Sequence, residues 1–88
     1  MPFIYVYVLS SSKDGFWYTG CTRDLRKRLA RHNANRVPYT KGRGPFTLIY
    51  YEASRTVEDA FARERYLKSG MGKRYLKNRL KRFLSLTG

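Results

Sequence analysis

Residues 3–10, FIYVYVLS, run β-branched and aromatic without interruption and predict a strand. The polar SSSKDG (10–15) has turn chemistry, and FWYTGC (16–21) reads as a second strand, so the pair predicts a hairpin. Leu25 and Leu29 then recur one helical turn apart within a basic stretch, which predicts a helix over about 23–34. Thr22 is its expected N-cap, with Asp24 in the positive first turn. The breaker-rich, basic NRVPYTKGRGP (35–45) predicts a loop, and FTLIYYE (46–52) a third strand. Thr56 opens a second helix with a capping box to Asp59, and Gly70 with Gly72 is expected to end it. Leu76, Leu80, Phe83 and Leu84 fall on one stripe of a third, basic helix over about 73–84. The order β-β-α-β-α-α with a leading hairpin predicts a small α/β (α+β) sandwich. Residues 1–88 make one domain, too short for repeated βαβ crossovers. A chain of this length buries roughly 60–65% of its unfolded surface, enough for one core without disulfide or metal staples.

Polar residues interrupt this pattern at three places. Arg28 and His32, i and i+4 apart, fall in the same narrow arc of the first helix as Leu25 and Leu29. An arginine there can snorkel along its neighbours, and a lone histidine can be a satisfied core residue; alternatively, both face a site. On the second helix Glu64 falls inside the arc made by Val57, Ala60, Phe61 and Leu67. A carboxylate so placed needs a cation, a metal or an open cleft beside it. In the hairpin, an even-numbered loop puts Tyr7 and Tyr18 on one face, with Gly20 leaving room for a ligand or a close backbone approach.

Charge narrows the choice of partner. Nineteen Lys and Arg against six Asp and Glu give a net charge of +13. Residues 1–20 balance Lys13 with Asp14, so the excess lies downstream. That density predicts a polyanion, since each neutralised phosphate releases a counterion. A membrane surface is not expected, because no basic helix carries a broad apolar face. Cys21, the single cysteine, allows neither an internal disulfide nor a cysteine-based zinc site, and no disulfide-linked partner is expected. The N-terminus MPFIYVYVLS lacks a basic n-region and cleavage site, and no apolar run approaches a membrane span, which points to the cytoplasm.

Two phenols, an arginine–histidine pair and one carboxylate on a basic scaffold suit phosphodiester hydrolysis. A carboxylate can hold a divalent cation. An arginine can stabilise charge on the attacked phosphate, and a phenol or imidazole can take a proton from water.

At these residues the chain resembles the GIY-YIG nuclease superfamily, most closely its small stand-alone bacterial proteins of the UPF0213 kind. The first signature stands as Tyr5-Val6-Tyr7 and the second as Tyr18-Thr19-Gly20. The helix with Arg28 and His32 follows, then the helix with Ala60 and Glu64, so the motif core spans 3–69. The glycine that names the first motif is Tyr5 here.

The resemblance implies a three-stranded antiparallel sheet flanked by about three helices. It implies Tyr7 as general base, Tyr18 lining the site and orienting water or phosphate, and Arg28 on the scissile phosphate. His32 would assist proton transfer, and Glu64 would be the sole protein ligand of one Mg²⁺ or Mn²⁺. An unperturbed phenol has a pKa near 10, so Tyr7 is expected to need Arg28 and the metal nearby to favour its phenolate. The implied activity is that of a metal-dependent endonuclease with water as nucleophile. It would act on nucleic acid, DNA ahead of RNA; an aromatic such as Tyr39 in the basic loop could stack on unpaired bases, which points to single-stranded or branched forms. Lys41, Arg43, Lys73, Arg74 and Lys77 would contact phosphates without reading sequence. With no attached recognition domain, specificity is left to a partner protein. The alternative is a non-catalytic DNA- or RNA-binding module on the same fold.

Overall fold

The computed structural model describes residues 2–87. Three strands, β1 (Ile4–Ser11), β2 (Trp17–Thr22) and β3 (Phe46–Ser54), form one antiparallel sheet in the order β2-β1-β3. The first strand is therefore central, and it is buried on both faces, which is why its sequence is apolar at nearly every position. Val8 pairs with Tyr50 and Leu9 with Leu48, so Ile49 is an extra residue bulging from β3.

The two sheet faces carry different layers. Ile4, Val6 and Val8 point to one face and pack with Ala60, Leu67 and Leu76 from α2 (Val57–Lys68) and α3 (Gly70–Arg79). Tyr7 and Leu9 point to the other, where Phe46 completes a core against Leu25 and Leu29 of α1 (Leu25–Asn33). Each Val or Leu in these cores contributes about 1.5–3 kcal/mol by leaving water. A final helix, α4 (Lys81–Thr87), follows α3, giving β-β-α-β-α-α-α.

Several boundaries depart from the pattern-based expectation. Asp24, not Thr22, caps α1: its carboxylate accepts from the Lys27 amide at 3.0 Å, whereas Thr22 is held in the sheet opposite Tyr5. The expected third helix is two, because the backbone at Leu80 (φ −105°, ψ 15°) leaves helical geometry and the chain restarts at Lys81. Leu76 is buried on that stripe, while Phe83 is 39% exposed. In α2 only Ala60 and Leu67 are buried, and Val57 and Phe61 face outward.

Gly70 and Gly72 begin α3 rather than ending α2. Ser69 joins the two helices with one hydroxyl, which donates to the Tyr66 carbonyl (2.6 Å) and accepts from the Gly72 amide (3.2 Å). A Cβ on Gly72 would stand 1.9 Å from that same carbonyl oxygen, so the elbow requires glycine for close approach. Among the described residues, no helix is long and apolar enough to cross a membrane.

Candidate active site

Tyr7 sits mid-strand on β1, opposite Gly20 of β2. Its ring crosses over that glycine, where a Cβ would meet the phenol oxygen at 2.5 Å. The hydroxyl thereby reaches α1 and lies 2.9 Å from Nε2 of His32. Nδ1 of His32 lies 2.7 Å from Oγ1 of Thr40, which donates its own proton to the Val37 carbonyl at 3.4 Å. With that proton committed, Thr40 accepts from Nδ1–H, and Nε2 is left to accept from Tyr7. Thr40 comes from a 3-10 turn (Pro38–Thr40) in the basic loop. Tyr7, His32 and Thr40 are all at most 1% exposed.

Electrostatics follow from this burial. Burial pushes the Tyr7 phenol well above its ordinary value; Tyr39 adds to the rise, and the Arg28 guanidinium offsets only part of it. The expected phenolate is thus not the resting form: Tyr7 holds its proton. Burial, and then Arg28, hold His32 below the usual imidazole range, so it is neutral at pH 7. The ring of Tyr39, half exposed, stands edge-on to His32 with centroids 6.0 Å apart.

Tyr18 shares the face of Tyr7, as the alternation predicts, and packs edge-on against Phe46 at 5.7 Å. Its hydroxyl donates to the Asp14 carboxylate at 2.6 Å, a bond that raises the phenol's pKa and lowers that of Asp14. Arg43 stands 3.6 Å from the same carboxylate. Its loop is tied to the hairpin turn, Ser11 donating to the Arg43 carbonyl (2.5 Å) and Lys13 to that of Gly42 (2.9 Å).

Glu64 lies on the other face. Oε1 accepts from the Cys21 thiol at 3.1 Å and Oε2 pairs with Lys68 at 2.8 Å, with the carboxylate side chain 21% exposed. Cys21 pairs with Val6, on the face toward α2 and α3, so the sheet stands between Glu64 and Tyr7. Burial, then the Glu64 hydrogen bond, push the Cys21 thiol up to about 12. Tyr7, Arg28 and His32 are brought together; Glu64 is not brought into that group. Among the described residues, no three His, Cys, Asp or Glu gather as a metal cluster. One solvent-reachable carboxylate still fits Mg²⁺, which keeps several waters and takes one or two carboxylates besides substrate phosphate. The Lys68 ion pair would have to open for it.

Neighbours of the two groups share one opening at the sheet edge. A cleft of about 260 Å³ runs along the outer strand β2, lined by Tyr18 and Tyr39 toward one face and by Thr19, Lys68 and Lys73 toward the other. Tyr39 touches His32, and Lys68 holds Glu64, so each cluster has a neighbour in this opening. Lys41, Arg43, Lys73, Arg74 and Lys77 are all exposed. Arg74 lines a separate hollow with Tyr66, Met71 and Tyr75, away from Lys73 and Lys77.

Sequence reasoning missed Thr40, Asp14 and Cys21 as partners of the site residues. Thr40 had no signal, being a loop hydroxyl eight residues from His32. Asp14 and Cys21 did have one: strand alternation puts Cys21 beside Val6, and the tight turn brings Asp14 near Tyr18.

Known proteins agree with this architecture. Residues 3–81 match the GIY-YIG catalytic domain family. A UPF0213 protein of Clostridium perfringens is 45% identical over 65 residues, which cover 73% of this chain and 69% of that protein. A UPF0213 protein of Halobacterium salinarum is 43% identical over 65 residues, covering 73% and 83%. The solution NMR structure of a UPF0213 protein from Bacillus halodurans superposes with a TM-score of 0.54 at 38% identity, over 86% of this chain and 83% of that one. This chain belongs to the GIY-YIG catalytic domain family, together with the UPF0213 proteins it resembles.

Proposed function

We propose that the protein is a divalent-metal-dependent endonuclease that hydrolyses phosphodiester bonds in nucleic acid, DNA ahead of RNA, in the cytoplasm. The observation that supports this most is the edge cleft, which has a neighbour of His32 on one wall and the partner of Glu64 on the other. In this reading the scissile phosphate enters beside β2. Tyr18 and Tyr39 orient it, and Arg28 stabilises the charge that develops on it. Tyr7 takes a proton from the attacking water as it passes its own to neutral His32, whose Nε2 already accepts from it. Glu64 would hold one Mg²⁺ or Mn²⁺, which supplies Lewis-acid stabilisation of the phosphate. Lys41, Arg43, Lys73, Arg74 and Lys77 contribute phosphate contacts, and a partner protein supplies specificity.

One observation favours a second reading, a non-catalytic nucleic-acid-binding module: Glu64 is ion-paired on the far side of the sheet from Tyr7. A cleavage assay on single-stranded, duplex and branched DNA and on RNA separates the two. The enzyme reading expects cutting with Mg²⁺ or Mn²⁺, none with chelator, and loss of cutting in Glu64→Gln with binding retained. Full cutting by Glu64→Gln, or no cutting by the unaltered protein on any substrate, would leave the binding module.

A further inference from the structure

A second opening adjoins the cleft. It has a volume of about 770 Å³ and lies between the β1–β2 turn and the helices α3 and α4. Its walls differ in chemistry. The hairpin side presents Phe16, 64% exposed, and the partly exposed Trp17, whose body packs on the Val6 core. The helical side presents Lys73, Lys77 and Lys81, with Leu84 beyond them. Lys73 and Lys77 stand four residues apart on α3, an axial step of about 6 Å along helical backbone, and Lys81 opens α4 just after the break at Leu80. That axial step is comparable to one nucleotide step of an extended strand. Among the described residues no acidic side chain lines the opening, and nearby Asp14 is engaged by Tyr18, the Phe16 amide and Arg43. Trp17, Tyr18 and Lys73 line both openings, so the groove continues the cleft.

We propose that this groove is a track for unpaired nucleic acid, in which Phe16 and Trp17 stack on bases while Lys73, Lys77 and Lys81 neutralise successive phosphates. The inference rests on the nuclease reading for its placement beside the cleft and deepens it by naming a single strand as the substrate form. A duplex keeps its base faces inside the stack and offers an exposed ring nothing to lie on; an unpaired strand offers a π-face at every base. Aromatic wall and cationic wall together match such a strand and match neither an acidic peptide nor a second copy of this strongly basic chain.

Trp17 is the only tryptophan, so its fluorescence reports the groove directly. The full chain is titrated in chelator with oligothymidylate, and with a blunt duplex, over a series of salt concentrations. Oligothymidylate is expected to quench Trp17 and to bind more tightly than the duplex. The triple variant Lys73→Ala, Lys77→Ala, Lys81→Ala should flatten the slope of log affinity against log salt by about 2, at roughly 0.7 per single-strand phosphate. Phe16→Ala, which removes an exposed ring, should weaken binding about 5- to 100-fold and leave the slope unchanged.

An unchanged slope in the triple variant, equal affinity for duplex, undiminished binding by Phe16→Ala, or displacement by polyglutamate as effective as by DNA would each overturn the track. Binding is read without metal, so the two readings fail separately. Intact cleavage with an unchanged slope removes the track alone. Groove-dependent binding with no cleavage removes the nuclease reading alone.

Discussion

Tyr7 and His32 close a buried hydrogen bond of 2.9 Å between the central strand and α1. Because Thr40 holds the other ring nitrogen, His32 faces Tyr7 as an acceptor and the phenol is its donor. The bond is a strut between layers, and in the proposed reaction it would be the start of a proton path.

Removing that hydroxyl should therefore show in two measurements. Tyr7→Phe keeps the ring but orphans Nε2, and is expected to cost about 1–3 kcal/mol in denaturant unfolding. Cleavage should fall by about 100-fold or more if the phenol relays the proton. Gly20→Ala should push the phenol off His32, since the added carbon meets its oxygen at 2.5 Å. In a double-mutant cycle the two losses should be less than additive, by about 0.5 kcal/mol or more. Strict additivity would mean that the phenol and Gly20 act separately.

The depressed pKa of His32 sets a pH dependence of stability. Above the unfolded pKa of about 6.5 the histidine is neutral in both states and costs nothing. Below it the unfolded chain binds a proton that the folded chain refuses, so stability falls as pH drops from there toward the folded value. The slope approaches about 1.4 kcal/mol per pH unit at most. Unfolding curves at about pH 7.5 and pH 5.5 should show this loss, and His32→Gln, which bonds but does not titrate, should lack that share. Equal losses in both proteins would place the pH dependence elsewhere.

Cys21 should be a slow thiol. With its pKa pushed up to about 12 by burial and Glu64, the thiolate fraction near pH 8 is roughly a thousandfold below that of an unfolded cysteine. Iodoacetamide should label the native protein correspondingly slowly and the denatured protein quickly. Glu64→Gln should speed native labelling in part, because burial, the larger cause, remains. Comparable rates in native and denatured protein would contradict the packing at this position.

Gly72→Ala should be among the most damaging single changes, costing about 3 kcal/mol or more, because a methyl at 1.9 Å from the Tyr66 carbonyl cannot be accommodated without opening the elbow. Gly70, with nothing within 4 Å of its Cβ position, should accept alanine almost freely. Thermal melts of the two variants make the comparison.

The strands and the sharing of a face by Tyr7 and Tyr18 were legible because period-two alternation is a local property. The inward turn of Arg28 and His32 was legible from helical spacing for the same reason. The side of the sheet to which each helix returns is not local. The apolar arc of its helix marks Glu64 as a carboxylate in need of a partner but not which face that partner is on, and α2 packs under Val6 and Val8 while α1 packs over Tyr7. Gly72 misled similarly: a glycine near a helix end usually supplies positive φ, whereas here it supplies the absence of a side chain where two helices touch. The state of the Tyr7 phenol also escaped, since burial outweighs the neighbouring guanidinium and only three-dimensional packing reveals how deep the group lies.

The Ser69 hydroxyl that bonds to both α2 and α3 has a bearing on molecular recognition. It locks Lys68 in the cleft and Lys73 at the head of the lysine row into one stiff bracket, with no slack segment between them. A protein so braced arrives at its ligand already shaped, and the loss of freedom on association falls mainly on the flexible polymer. It should act as a fixed mould, favouring chains that bend to its contour over those too rigid to follow it.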